Sequence, residues 1–177
     1  EGFRPGVIGR LGFGRERLMA LNPGLIYVSI SGFGQVGPLR DKPAMDPVLQ
    51  AFTGFMMDNA GHDGIPHRCN TIIIDMSTAL YAFQAVAPAL HAKRDGELGR
   101  FLDVSLMRSA ANLSGIRLMM ASHRELGGNV GAPPSGVHRT ADGWLQLGIV
   151  KDSDFYVVCD LLGLDDLKAE ESLQGLV

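Results

Sequence analysis

A chain of 177 residues, 46% hydrophobic and 20% charged, carries enough apolar side chain to bury the core of one domain or one and a half. The net charge is −3, and the basic residues are scattered apart from small clusters at Arg4 to Arg17 and at Lys93–Arg94. That distribution argues against a nucleic-acid binder, which shows a concentrated basic face, although the first cluster suits a phosphorylated small molecule.

In chain order, Gly14 to Ala20 reads as a short helix stopped by Asn22-Pro23-Gly24. Leu25 to Ser31 is apolar and β-branched, the pattern of a strand buried on both faces of a parallel sheet. Gly32 to Lys42 is a loop rich in glycine and proline. Asp46 to Met57 places Val48, Leu49, Phe52, Phe55 and Met56 at helical spacing. Asp58 to Arg68 is polar and turn-rich, and Thr71 to Ile74 is a short apolar run. Asp75 to Arg94 is the longest periodic segment, with Leu80, Phe83, Gln84, Ala87 and Leu90 on or near one face. Pro88 is expected to kink it, and Gly96 and Gly99 to end it. Phe101 to Leu106 alternates as a strand, and Met107 to Ser122 is helical.

This order of strands and helices predicts an α/β fold: a partial Rossmann-like parallel sheet with helices over residues 1–122. A Gly- and Pro-rich stretch, Gly127 to Ser135, places a linker at 123–140. Residues 141–177 then begin a small second α/β domain, with a strand at Gly143 to Ile149, a helix at Ser153 to Leu162, and Trp144 packing its core. The chain starts at Glu1 without Met and ends in Glu170 to Val177 as if within a helix, so a partial chain is expected.

Cys69 and Cys159 lack metal-ligand spacing and read as free thiols of a reducing compartment. No apolar run approaches the roughly 20 residues that span a bilayer, and no signal peptide is evident, so a cytoplasmic protein without membrane contact is expected.

Three segments carry candidate chemistry. Asp75, in Thr71-Ile72-Ile73-Ile74-Asp75-Met76-Ser77-Thr78, reads by itself as a helix N-cap. The functional alternative is a carboxylate nucleophile, which works where a site fixes its position and strips away water. Backbone N–H groups at the helix start would then stabilise developing oxyanions. Asp46, in Pro43-Ala44-Met45-Asp46-Pro47, is another N-cap candidate. Gly32-Phe33-Gly34-Gln35-Val36-Gly37-Pro38 follows a strand but runs into a loop instead of opening a helix, so it fails the dinucleotide fingerprint.

The run from Ser31 to Pro38, together with Thr71 to Thr78, resembles the class III CoA-transferases, the CaiB/BaiF group that includes formyl-CoA transferase and carnitine CoA-transferase. The resemblance covers nearly the whole chain but only a middle section of the family, whose members are more than twice as long. It implies that Asp75 is the covalent nucleophile and that Asp46 lies in the active site. It implies that Gly32, Phe33 and Gly34 lie near coenzyme A, and that Lys42 falls near a basic contact to it. Glu1-Gly2-Phe3-Arg4-Pro5-Gly6 resembles the segment lining the CoA nucleotide, with Gly2 where the family has Asn. There Phe3 would pack on adenine, and Arg4 and Arg10 would meet phosphates. Asp103 matches the family as a structural residue.

The implied reaction moves CoA from an acyl-CoA donor to a carboxylic acid through an aspartyl anhydride and an aspartyl-CoA thioester. No metal or redox cofactor is implied, and an interlocked homodimer is. A fragment of this length is not expected to be active alone. The 2-methylacyl-CoA racemases share the fold but carry His just before the acid, where this chain has Met45, a side chain with no titratable proton. A non-catalytic CoA-binding homologue is the other alternative.

Overall fold

The computed structural model describes residues 1–60, 64–122, 135–149 and 151–170. The chain divides into two compact units, Glu1–His123 and Arg124–Val177.

The first unit opens with two short helices, α1 (Val7–Arg10) and α2 (Arg15–Leu21). Pro23 holds Asn22 in extended backbone and so ends α2. Strand β1 (Tyr27–Ser31) pairs in parallel with β2 (Phe101–Ser105), in a register running from Tyr27 opposite Phe101 to Ser31 opposite Ser105. Tyr27, Ser29 and Ser31 are buried, while Val28 and Ile30 are only half-buried. The strand therefore has one fully covered face, not the two expected, and two of the three covered residues are serines.

Between the strands lie α3 (Asp46–Phe52), α4 (Phe55–Asp58) and α5 (Ile73–Arg94). The single helix expected over Asp46 to Met57 is split because Gly54 turns the backbone to φ +80°. Helix α5 starts two residues earlier than the sequence suggests, at Ile73, and runs on through Pro88 to Arg94. His91, Lys93 and Arg94 in its last turn suit the negative end of the helix dipole. After β2 come α6 (Leu106–Leu113) and α7 (Gly115–Ser122), a pair read from sequence as one helix and broken at Ser114. Ser105 caps α6 by accepting the Arg108 N–H at 3.2 Å.

The core of this unit gathers Leu49, Ile74 and Ala110, with Phe33, Ala44, Ile73, Leu106 and Met107 packed against them. Leu49 and Ile74 are fully buried, and each contributes about 1.5–3 kcal/mol by leaving water. The buried residues of α5 are Ile74 and the small Ser77, Thr78, Ala82 and Ala89. The apolar face expected to be covered is open instead: Leu80, Phe83 and Leu90 are exposed, Phe83 to 71%. Contrary to the sequence reading, α5 is long and apolar enough to cross a bilayer by length and composition, with a mean hydropathy of 1.3. Here it packs against β1, β2, α3 and α6.

In the second unit, β3 (Gly136–Arg139) and β4 (Trp144–Leu147) pair antiparallel, and α8 (Asp152–Leu162) and α9 (Asp165–Lys168) follow. Residues 136–139, expected within a linker, thus form a strand; Gly127 to Pro134 lie outside the described residues. Ile149, Phe155 and Cys159 make the core. Trp144, expected there, is exposed. Cys69 and Cys159 are free thiols.

Candidate active site

Parallel strands joined by helices leave their carboxyl ends as the place where loops and helix starts converge. Asp46 and Asp75 both lie there, each in the first turn of a helix that follows β1. Their roles differ from the N-cap reading of the sequence.

Asp46 is the first residue of α3 and is 2% exposed. Its Oδ2 accepts the N–H of Ile74 at 2.7 Å and the N–H of Asp75 at 3.1 Å. It therefore caps α5, a helix beginning 27 positions further along the chain, and not its own. Its other oxygen, Oδ1, accepts the Gln50 side-chain amide at 2.6 Å. Gln50 also exchanges two hydrogen bonds with the Cys69 peptide: its Nε2 donates to the Cys69 carbonyl at 3.1 Å, and its Oε1 accepts the Cys69 N–H at 2.9 Å.

Asp75 is the third residue of α5, inside the helix. The capping duty is taken by Asp46, and the Asp75 carboxylate stays exposed to solvent. Among the described residues no hydrogen bond is made to that carboxylate. Partial desolvation first, and then the nearby Asp46 carboxylate, push the Asp75 carboxyl above its ordinary value. A more basic carboxylate is a better nucleophile.

The backbone donors expected to stabilise oxyanions are already engaged. Ile73 N–H donates to Thr71 O at 2.7 Å, Met76 N–H to Ile72 O at 3.0 Å, and the two between them to Asp46. Oxyanion stabilisation at Asp75 thus needs other donors.

The other candidate residues are exposed or engaged in packing. Glu1 accepts the Ile30 N–H at 2.9 Å, so Phe3 and Arg4 emerge beyond the carboxyl end of β1. Phe3 is 46% exposed, and Arg4, Arg10 and Lys42 are exposed and make no ion pair among the described residues. These cations are available to an anionic ligand. Gly32 serves close packing: a Cβ there would lie 2.3 Å from the Ala44 Cβ. Phe33 joins the core and meets Phe52 edge-on at 5.8 Å. Gly34, at φ +88°, turns the loop beside Asp103, whose carboxylate accepts the Gln35 N–H at 3.2 Å and pairs with Arg108 at 3.7 Å.

Two buried polar atoms of this segment, Ser31 Oγ and Gln35 Nε2, have no hydrogen-bond partner. Such orphaned groups fit a ligand rich in hydrogen-bonding groups, as coenzyme A is. Neither residue stands out in sequence beyond its place in the glycine-rich run. Gln50 carries a faint signal, its position four residues after Asp46 on a helix, which is a pairing distance.

Two clefts, of about 360 and 390 Å³, lie beside α6 and beneath the loop after β1. Asp103 lines both, and its carboxylate is already bonded, whereas neither cleft includes Asp46 or Asp75. His67 is exposed and His62 lies outside the described residues. Among the described residues, no three His, Cys, Asp or Glu side chains gather as metal ligands.

Comparison with known proteins bears on this arrangement. The family model described as CoA-transferase family III matches residues 1–176. The chain belongs to that family. It is 34% identical to an acetyl-CoA:oxalate CoA-transferase of Acetobacter aceti, across 96% of this chain and 46% of the relative. It is 35% identical to a succinate–glutarate CoA-transferase of Agrobacterium fabrum, across 97% of this chain and 44% of the relative. A crystal structure of an aspartate-to-alanine variant of Rv3272 from Mycobacterium tuberculosis superposes with a TM-score of 0.82 at 29% identity, over 98% of this chain and 46% of that one. The chain thus spans about half the length of these relatives. The α/β fold with its small parallel sheet matches those structures.

Proposed function

We propose that the polypeptide carrying this chain transfers CoA from an acyl-CoA donor to a carboxylic acid, with Asp75 as the covalent nucleophile. The observation that carries the reading is the division of labour between two aspartates. Asp46 caps α5, and Asp75 is left exposed, more basic than usual and fixed by a rigid helical turn.

In the first step an Asp75 oxygen attacks the thioester carbonyl; the C–O bond forms, the C–S bond breaks, and CoA thiolate leaves a mixed anhydride. The thiolate then attacks the aspartyl carbonyl of that anhydride, releasing the donor carboxylate and forming an aspartyl-CoA thioester. The acceptor carboxylate attacks this thioester, thiolate leaves again, and its attack on the acceptor acyl carbon gives the product acyl-CoA and free Asp75. Every step is a carbonyl substitution, with no net oxidation. In this reading Arg4, Arg10 and Lys42 meet CoA phosphates, Phe3 the adenine, and Ser31 and Gln35 the polar arm. Gly32 and Gly34 hold the loop against the protein itself and so shape the site from beneath.

The named relatives act on oxalate, succinate and glutarate, so short dicarboxylic acids are the acceptor class to test. The reading extends, through the family resemblance, to a cytoplasmic homodimer. The exposed Leu80, Phe83 and Leu90 offer apolar surface for burial in such an assembly.

The test uses the complete polypeptide. It is incubated with acetyl-CoA and succinyl-CoA, quenched, and the peptide containing Asp75 is weighed by mass spectrometry. An acyl or CoA adduct that is absent in Asp75→Asn supports the reading. CoA binding without any adduct refutes it, and solvent deuterium appearing at the α-carbon would then identify a racemase.

A further inference from the structure

Gln50 is fully buried in α3, and its amide is the joint between three segments. It donates to Asp46 Oδ1 and to the Cys69 carbonyl, and accepts from the Cys69 N–H. Cys69 opens the short run of chain that leads into α5, and Asp46 Oδ2 holds the first turn of α5. One amide thus fixes both the cap of the helix that bears Asp75 and the backbone that feeds it.

We propose that Gln50 is a positioning residue for acyl transfer at Asp75, holding the Asp46 carboxylate and the Cys69 peptide in the one arrangement that aims Asp75 at its substrate. This rests on the reading of Asp75 as the nucleophile.

Only a primary amide of this length meets the three contacts. Each bond uses a donor where the partner accepts and an acceptor where the partner donates. Glutamate keeps the shape but sets a carboxylate oxygen against Asp46 Oδ1 and the Cys69 carbonyl, with no proton between them. Methionine keeps the length and the burial but leaves the Cys69 N–H, the Cys69 carbonyl and Asp46 Oδ1 unpaired. In both variants the turn loses its fixed seat, while the candidate CoA contacts at Phe3, Arg4, Arg10 and Lys42 are untouched. A misplacement of about 1 Å at a reacting group costs about 100-fold in rate. The signature is therefore a slow chemical step with near-normal thioester binding.

The experiment is single-turnover acylation of the complete polypeptide by succinyl-CoA and acetyl-CoA, for the native chain, Gln50→Glu and Gln50→Met, followed by mass spectrometry of the Asp75 peptide. The amplitude counts competent molecules, and the rate constant reports geometry in those molecules. The expected result is a rate constant about 10- to 100-fold lower in both variants, with the half-saturating thioester concentration changed by less than about 3-fold. A purely structural role would lower the amplitude and leave the rate constant alone, and that result overturns the proposal. Variants with no competent amplitude at all would assign Gln50 to folding and overturn it as well. A native chain that forms no adduct on Asp75 overturns the transferase reading and this proposal together. A native chain that acylates normally beside equally fast variants overturns this proposal only.

Discussion

The Asp46 cap is the feature whose removal has the most calculable consequence. In Asp46→Ala, the Ile74 N–H keeps its burial but loses its acceptor, because Ile74 has no exposed surface. A buried donor left unpaired costs about 1–3 kcal/mol, and a lost N-cap in general about 0.5–2 kcal/mol. The Asp75 N–H lies nearer solvent, where water recovers part of its bond. The two losses together come to about 3 kcal/mol, nearly all of it local to the first turn of α5. Gln50 loses one acceptor but keeps Cys69. Because the two units need not unfold together, a local measurement is better than a global melt. Amide hydrogen exchange at Ile74 and Asp75 is expected to quicken by about 100-fold in Asp46→Ala, since each 1.4 kcal/mol is a factor of ten. Exchange at Ala82 and Ala89, deeper in α5, is expected to change far less. Protection at Ile74 within about 3-fold of the native value would refute the claim that Asp46 holds this turn.

Three further outcomes are expected. Asp75→Asn abolishes the covalent adduct, and its stability at neutral pH is unchanged or higher by no more than about 1 kcal/mol, because the group is exposed. The sign follows from the raised folded-state pKa: folding favours the protonated carboxyl, so stability falls as pH rises from the unfolded value through the folded one, and asparagine removes that loss. Asp46→Asn removes the second cause of the Asp75 shift while desolvation stays; the acid limb of the acylation pH profile moves to lower pH but not fully to that of a free aspartate, and an unmoved limb would contradict it. Gly32→Ala drives a methyl into Ala44 and is expected to destabilise the first unit by about 1–3 kcal/mol in urea denaturation; a neutral effect would show that the loop after β1 can yield.

Sequence patterns made the alternation of strand and helix legible, since β-branched runs and helical spacing are local signals. They placed Asp75 within two residues of a helix start, and the glycine-rich loop after β1. What they misjudged was set by partners distant in the chain. Asp46 looks like the cap of its own helix because Asp-Pro is a local helix-start signal, yet its carboxylate reaches α5. Leu80, Phe83 and Leu90 share an apolar face, but hydropathy says only what prefers to leave water, not what is at hand to cover it. Within this chain the sheet and α6 are approached by alanine, serine and threonine instead. Gly54 breaks a periodic apolar segment because its left-handed backbone ends α3, a geometry that periodicity does not encode.

The bond from Asp46 to Ile74 closes a loop of 28 residues. Closing a flexible loop of that length costs about 3 kcal/mol of chain entropy, which no contact within α5 can return. Helix α5 can coil early from its own local contacts, with Asp75 already on it, but its first turn is seated only when α3 and the intervening segment dock. The seating of Asp75 therefore matures with the tertiary fold and not with the helix that bears it, so on the proposed reading a half-folded chain would carry the aspartate without its finished surroundings.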